Sequence, residues 1–358
     1  SGPNGIVGDY DDGLPQTIEQ FLYLCGSMKE QGIVPIEFTG QTPGYLTSVL
    51  TSLAINLNPS IEADLVWRMS GTSKALIDSI SSDGNVTYLQ ETEINEINGN
   101  KAFRQASRYY ALKFAETLYK SGYVSEGVSN QAHSHTDAQH AFIKGTYSKL
   151  KSSDTKVGML FDGTWWENES ASYFDEMSNA GYTNAKRLNR HFAVMPMPKL
   201  NEDSLGQNIF YDPLQTICFG MKNSNENKNN AIKDFIRYMY TDKSLSDFTK
   251  VTGSFLNIKY EVSEEDKSSL SNYSKSMIEL KKDSKIISPV SKTNVYKSKQ
   301  GDFIDVDYGW NSQIGTITYK LGTFFRNGTI AKENQNAKTY FEGISTYYND
   351  NYWSNYLK

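Results

Sequence analysis

The stretch "PQTIEQFLYLCGSMKEQGIVPIEFTGQTPGY" limits the fold more than any other part of the chain. Ile18, Phe21, Leu22, Cys25 and Met28 recur at helical spacing, and Gly32 closes that helix. "IVPIEF" then reads as a short strand, and "TGQTPGY" as a Gly/Pro-punctuated loop entering a helix from Leu46 to Leu57. The order returns further on. An amphipathic helix from Lys101 to Gly122 carries Phe103, Ala106, Tyr110, Phe114 and Leu118. "HSHTDAQHAFIKG" opens a helix on a Thr136–Gln139 capping box and ends it at Gly145. "KVGMLFDG" is the next strand. Strand, polar loop, helix is the α/β layout whose loops collect ligands.

Trp165 and Trp166 stand just beyond that strand, in "DGTWWENES". In an extended stretch, adjacent side chains point to opposite faces, so one indole is expected to meet a cleft, a partner or solvent. Downstream, "HFAVMPMPKL" is an extended segment broken by Pro196 and Pro198, expected to cross between lobes. "QTICFGM" reads as a buried strand, and Ile232, Phe235, Ile236 and Met239 mark a helix. "EVSEEDKSSLSNYSKSMIELKKDSK" reads as solvated helix and loop. "WNSQIGTITYKLGTFFRNG" and "NAKTYFEGISTYYNDNYWSNYL" read as two helices.

At 358 residues the chain exceeds one ordinary core and is expected to form two lobes. A net charge of −5 argues against a nucleic-acid partner, which wants a basic face. Cys25 and Cys218 are the only cysteines, so a disulfide framework is excluded. No apolar run is long enough to cross a bilayer. The opening "SGPNG", without Met or a signal peptide, reads as a processed or engineered product.

Candidate chemistry narrows quickly. His133, His135 and His140 could serve a metal, but a surface cluster is the plainer reading. Asp9, Asp11 and Asp12 before Gly13 look like the start of a calcium loop, yet no bidentate Glu follows near Phe21. Asp162, Glu167 and Glu169 lie on one loop and cannot easily flank a glycosidic bond; Asp212 or Asp307 would have to supply the second acid. Nucleophile-elbow, zinc-protease, P-loop and dinucleotide motifs are absent, so neither an enzyme nor a bound metal or cofactor is expected. The 24 Tyr and 5 Trp favour a sugar site: rings stack on pyranose C–H faces, while amides and carboxylates meet the hydroxyl edges.

Together these blocks make a family visible. "YDDGLPQTIEQFLYLCGSMKEQGIVPIEFTG", "AQHAFIKG…KVGMLFDGTWWENE", "NKNNAIKDFIRYMYTDKSLSDFTKVTG" and "WNSQIGTITYKLGTFFRNGTI" resemble, in order and over nearly the whole chain, a carbohydrate-type extracellular solute-binding protein of an ABC importer, maltose-binding-protein-like. The resemblance implies an α/β, periplasmic-binding-protein-like (type II) two-lobe fold that closes on sugar. It implies Trp165 as the stacking tryptophan, Trp310 as a second cleft aromatic at the start of a late helix, and Gln41 and Tyr45 on a ligand-contacting loop. Trp166, Asp162 and Glu167 adjoin a matching position; Trp165 is assigned to the cleft and Trp166 to bracing the loop.

The family's opening stretch, which builds most of the first lobe, has no counterpart here. Residues 1–195 then read as the first part of the second lobe, 196–255 as the crossing strand and returning helices of the first, and 256–358 as the remainder of the second with its C-terminal helices. A fragment of a longer protein is the expectation, with weakened sugar binding and an exposed apolar face on Gln215–Gly253. The implied partners are a carbohydrate and the ABC permease. A lipid anchor in the missing part would hold the protein at a Gram-positive cell surface. The rivals are a sugar sensor serving a signalling receptor, a glycoside-processing enzyme and a scaffold module.

Overall fold

The computed structural model describes residues 13–59, 61–147, 154–212, 220–254, 256, 258–282, 284–289, 308–326 and 334–357. Asp9, Asp11, Asp12, Cys218, Asp307 and the Gln215–Phe219 part of one expected strand lie outside them. The chain forms two compact units. The first takes the described residues of Ser1–Phe161, Met195–Pro213 and Ser284–Lys358; the second takes those of Asp162–Val194 and Leu214–Asp283.

All described strands belong to the first unit: β1 (Ile33–Glu37), β2 (Gly71–Ser73), β3 (Ile77–Ile80), β4 (Val86–Tyr88), β5 (Thr92–Ile94), β6 (Lys156–Leu160), β7 (Ile209–Tyr211), β8 (Lys285–Ile287), β9 (Ser312–Ile314) and β10 (Ile317–Tyr319). Its main helices are α1 (Ile18–Glu30), α2 (Gly44–Leu57), α3 (Ala106–Lys120), α4 (His135–Gly145), α10 (Ala337–Tyr347) and α11 (Asp350–Tyr356). β1 and β6 pair in parallel, Ile36 opposite Met159 and Glu37 opposite Leu160. On β1's other edge Val124 bridges Ile36, also in parallel, through Ile36 N–H to Tyr123 O and Ser125 N–H to Ile36 O. Parallel neighbours require crossovers, and α3 and α4 supply the helices that precede Val124 and β6.

Local chemistry explains the helices around this sheet. Thr17 caps α1 by accepting from Gln20 N–H at 3.3 Å, and Phe21 and Cys25 face inward. Gly32, at φ +70°, turns the chain into β1 in a conformation that side chains with a Cβ disfavour. α2 buries Leu46, Leu50, Leu53, Ala54, Ile55 and Leu57, so it is apolar nearly all round and runs through the core. At its end Asn56 both donates to Ile209 O (2.9 Å) and accepts from Ile209 N–H (3.0 Å), fastening β7, which pairs in parallel with β8.

Several expectations change. The helix expected from Lys101 begins at Ala106, after a 3-10 segment, Glu96–Arg104. α4 starts two residues early: Ser134, not Thr136, is the N-cap, and Asp137 rather than Gln139 completes the capping box. Ser134 and Asp137 keep the same three-residue spacing two positions back, and the short carboxylate accepts from the Ser134 N–H at 2.9 Å. "HFAVMPMPKL" carries no strand, only the isolated bridge of Lys199 to Thr17. The helix expected at "WNSQIGTITYKLGTFFRNG" is instead the β9–β10 hairpin followed by one helical turn, Leu321–Phe324. Gly315, at φ +61°, makes the two-residue turn.

In the second unit the main helices are α5 (Trp166–Glu169), α6 (Ala171–Asn179), α7 (Glu226–Met239), α8 (Asp242–Thr252) and α9 (Asn272–Lys282). Trp166 is its centre, edge-on to Phe192 at 5.1 Å and to Tyr273 at 5.4 Å. α9, read from sequence as solvated, buries Tyr273 and Met277 because its apolar residues share one face.

Candidate functional site

β1, Val124 and β6 run in parallel, so their following loops leave one end of the sheet. Ligand loops in α/β folds gather at the carboxyl ends of strands. Phe38 and Phe161, the residues immediately after β1 and β6, stack with centroids 5.9 Å apart, and Phe161 N–H bonds to Glu37 O at 2.9 Å. Behind the β1 loop lies a polar knot. One carboxylate oxygen of the buried Glu37 accepts from Phe38 N–H (3.0 Å) and Ser125 Oγ (2.7 Å) and meets His133 Nε2 at 3.1 Å. The carbonyl of His133 in turn accepts from Thr39 Oγ1 and from the Gly40 and Gln41 amides, at 2.9–3.0 Å. Arg326 Nη1 donates to Gly40 O.

Gly40 is forced by this packing. A Cβ there would lie 2.2 Å from Asn130 O and 2.5 Å from Gly127 O. The loop is therefore held rigidly from beneath, while Gln41 is exposed and Tyr45 half-buried at the start of α2. Rigid backbone with exposed amide and hydroxyl groups suits recognition of a neutral polyol by hydrogen bonds.

In the second unit Trp165 and Trp166 part company, though not for the expected reason. The backbone is not extended: Trp165 is the N-cap of α5 and Trp166 its first helical residue. Trp165 is 39% exposed, Trp166 only 5%. The Trp165 ring lies directly against Gly163, where a Cβ would come within 2.3 Å of it. A side chain at 163 would push the indole away, so the glycine sets its pose.

Glu167 is not presented to solvent. Its Oε2 accepts from Ser271 Oγ at 2.6 Å, and its Oε1 has no hydrogen-bond partner among the described residues. Burial pushes its carboxyl above the ordinary carboxylate range. Asp162 accepts from Gly163 N–H at 2.6 Å, holding the turn before the tryptophans. Trp310 is 2% exposed and precedes a hairpin rather than opening a helix. Its Nε1–H donates to Thr51 Oγ1 at 2.9 Å, and the buried Arg108 guanidinium lies 5.1 Å from its ring. Thus Gln41, Tyr45 and Trp310 belong to one unit and Asp162, Trp165, Trp166 and Glu167 to the other.

Sequence reading missed Glu37, Ser125 and Arg326. The signal for Glu37 was present: an acid ending an otherwise apolar strand needs partners. His133 was noticed for metal chemistry, whereas its ring faces Glu37. Among the described residues no group of three His, Cys, Asp or Glu is arranged to hold a metal ion.

No family model and no curated protein matches the chain. Solved structures do. A chitin oligosaccharide binding protein aligns with a TM-score of 0.55 at 14% identity, over 96% of this chain and 66% of its own. RafE in complex with raffinose aligns at 0.49 and 14% identity, over 94% and 66%. A sugar transporter from Bacillus licheniformis in complex with stachyose aligns at 0.42 and 11%, over 97% and 66%. The first likeness assigns the α/β fold of solute-binding proteins, and this chain spans 66% of that protein's length.

Proposed function

We propose that this chain binds carbohydrate as part of the extracytoplasmic solute-binding subunit of an ABC importer. The observation that carries the reading is the exposed Trp165 indole, posed against Gly163 in a fold shared with a chitin oligosaccharide binding protein. In this reading the indole stacks on the apolar face of a sugar ring. Asp162 orders the turn beneath it, and Trp166 and the buried Glu167 brace the helix start; in the other unit the rigid β1 loop by itself offers Gln41 and Tyr45 to sugar hydroxyls. Trp310, already sealed in the core, takes no part.

Sugar binding shifts the population toward a state that docks on the permease. The protein is a binding subunit rather than an enzyme, tethered at a Gram-positive cell surface by a lipid anchor. Among the described residues no helix is long and apolar enough to cross a membrane. Tryptophan-fluorescence titration with raffinose, stachyose, chitotetraose and monosaccharides tests the reading. Saturable binding to one class, lost in Trp165→Ala with the fold intact, is expected. A flat response to every sugar, or undiminished binding by the variant, contradicts it.

A further inference from the structure

α10, α11 and the β9–β10 hairpin enclose an open groove of about 530 Å³ in the first unit. That volume lies within the roughly 300–1,000 Å³ of ligand clefts. Its lining has an unusual chemistry: Tyr347, Tyr352 and Tyr356, with Asn349, Asn351, Asn355 and Gln313, and no charged side chain among the described residues. The helices create this by spacing, since Tyr352 and Tyr356 are four residues apart on α11 and share one face. Their rings are nearly parallel, 6° apart in plane and 6.2 Å between centroids, and Tyr347 lies 5.4 Å from Tyr352. Core contacts fix the ladder from behind. Tyr352 meets the buried Tyr348 edge-on at 5.5 Å, and Tyr356 stacks on the buried Trp353 at 5.8 Å. Trp353 is itself held by its Nε1–H to Glu96 O at 2.9 Å.

We infer that this groove is a second carbohydrate-binding surface, taking a segment of a neutral polysaccharide. Ordered phenol faces meet sugar C–H faces, and the side-chain amides of Asn351 and Asn355 supply donors and acceptors to hydroxyl edges, while Asn349 caps α11 by accepting from Tyr352 N–H at 2.9 Å. The uncharged lining disfavours anionic or cationic ligands, because nothing would compensate their lost hydration. Asn351 and Asn355 are both exposed, and Asn355 Nδ2 donates to Asn351 Oδ1 at 3.4 Å, a long bond easily exchanged for a sugar hydroxyl. None of these residues belongs to the Trp165 site, so the inference stands or falls separately from the function proposed above.

Affinity electrophoresis of the full chain through native gels containing soluble starch, glycol chitin or galactomannan provides the test. Retardation by at least one polymer is expected, weakened about tenfold in Tyr352→Ala/Tyr356→Ala. Asn351→Ala/Asn355→Ala, which leaves the aromatic packing whole, should weaken it too, whereas Trp165→Ala should not. No retardation by any of the three polymers overturns the inference. So does retardation that survives both double variants, or that only Trp165→Ala abolishes, or a groove that binds a polyproline peptide in place of polysaccharide.

Discussion

Trp165 and Trp166 acquire opposite surroundings at a helix start, where the chain turns by about 100° per residue rather than alternating. The consequences for substitution differ accordingly. Trp166→Ala removes the hub of the Phe174, Phe192 and Tyr273 cluster and should cost about 3–5 kcal/mol in chemical denaturation. Trp165→Ala should leave the denaturation midpoint almost unmoved while removing the sugar-dependent signal. Glu167 makes a pH prediction. Its folded value lies above the ordinary 4.5, so the stability it contributes is full below that pH and is lost as pH rises through the folded value. Glu167→Gln keeps an acceptor for Ser271 without the buried charge and should be the more stable of the two at neutral pH. Equal melting temperatures for variant and parent at pH 7 would show that burial does not strain this carboxyl.

The joint between α2 and β7 is held by Asn56 and Lys199. The Lys199 ammonium donates to Asn56 Oδ1 at 2.9 Å and to Gln207 O at 3.2 Å, and burial lowers its pKa from 10.5 to about 8. Below about pH 8 both folded and unfolded chains carry the charge, and the folded one bears the desolvation cost. Between about 8 and 10.5 only the unfolded chain keeps its proton, so stability should rise with pH there, by roughly 2 kcal/mol. Urea midpoints at pH 8 and pH 10 read this directly, and Lys199→Met should flatten the rise. A parent profile no steeper than the variant's would exclude a buried ammonium at this joint. Elements were read well where periodicity was long, as in α1, α2, β1 and β6. The β9–β10 hairpin was misread as helix, although "QIGTIT" alternates and puts glycine at the turn; the aromatic residues around it masked a period of two.

At the scale of the whole molecule, one apolar surface stands out among the described residues. α7 has no buried residue, and Phe235 (61% exposed), Tyr238 and Tyr240 are followed on α8 by Phe248 and Val251 (74%). Apolar groups this exposed drive association. Sedimentation velocity should therefore show concentration-dependent self-association of this chain, reduced in Phe235→Glu/Val251→Lys. Sedimentation as a monomer at every concentration, unchanged in the variant, would remove that expectation.

The α/β alternation and the placement of loops after strands were legible in sequence, because local propensity and hydrophobic period are local properties. Which aromatic faces water was not. Trp165 and Trp310 look alike in sequence, each within two residues of a glycine and near polar side chains. One has a glycine that leaves its ring on the surface; the other meets Thr51, 259 residues away, and the fully buried Arg108. The same holds for Glu37, Ser125 and His133, which share one hydrogen-bonded knot only because β1 and the parallel Val124 segment end together. Burial and pairing depend on what packs from distant parts of the chain, and only the tertiary structure brings those parts into contact.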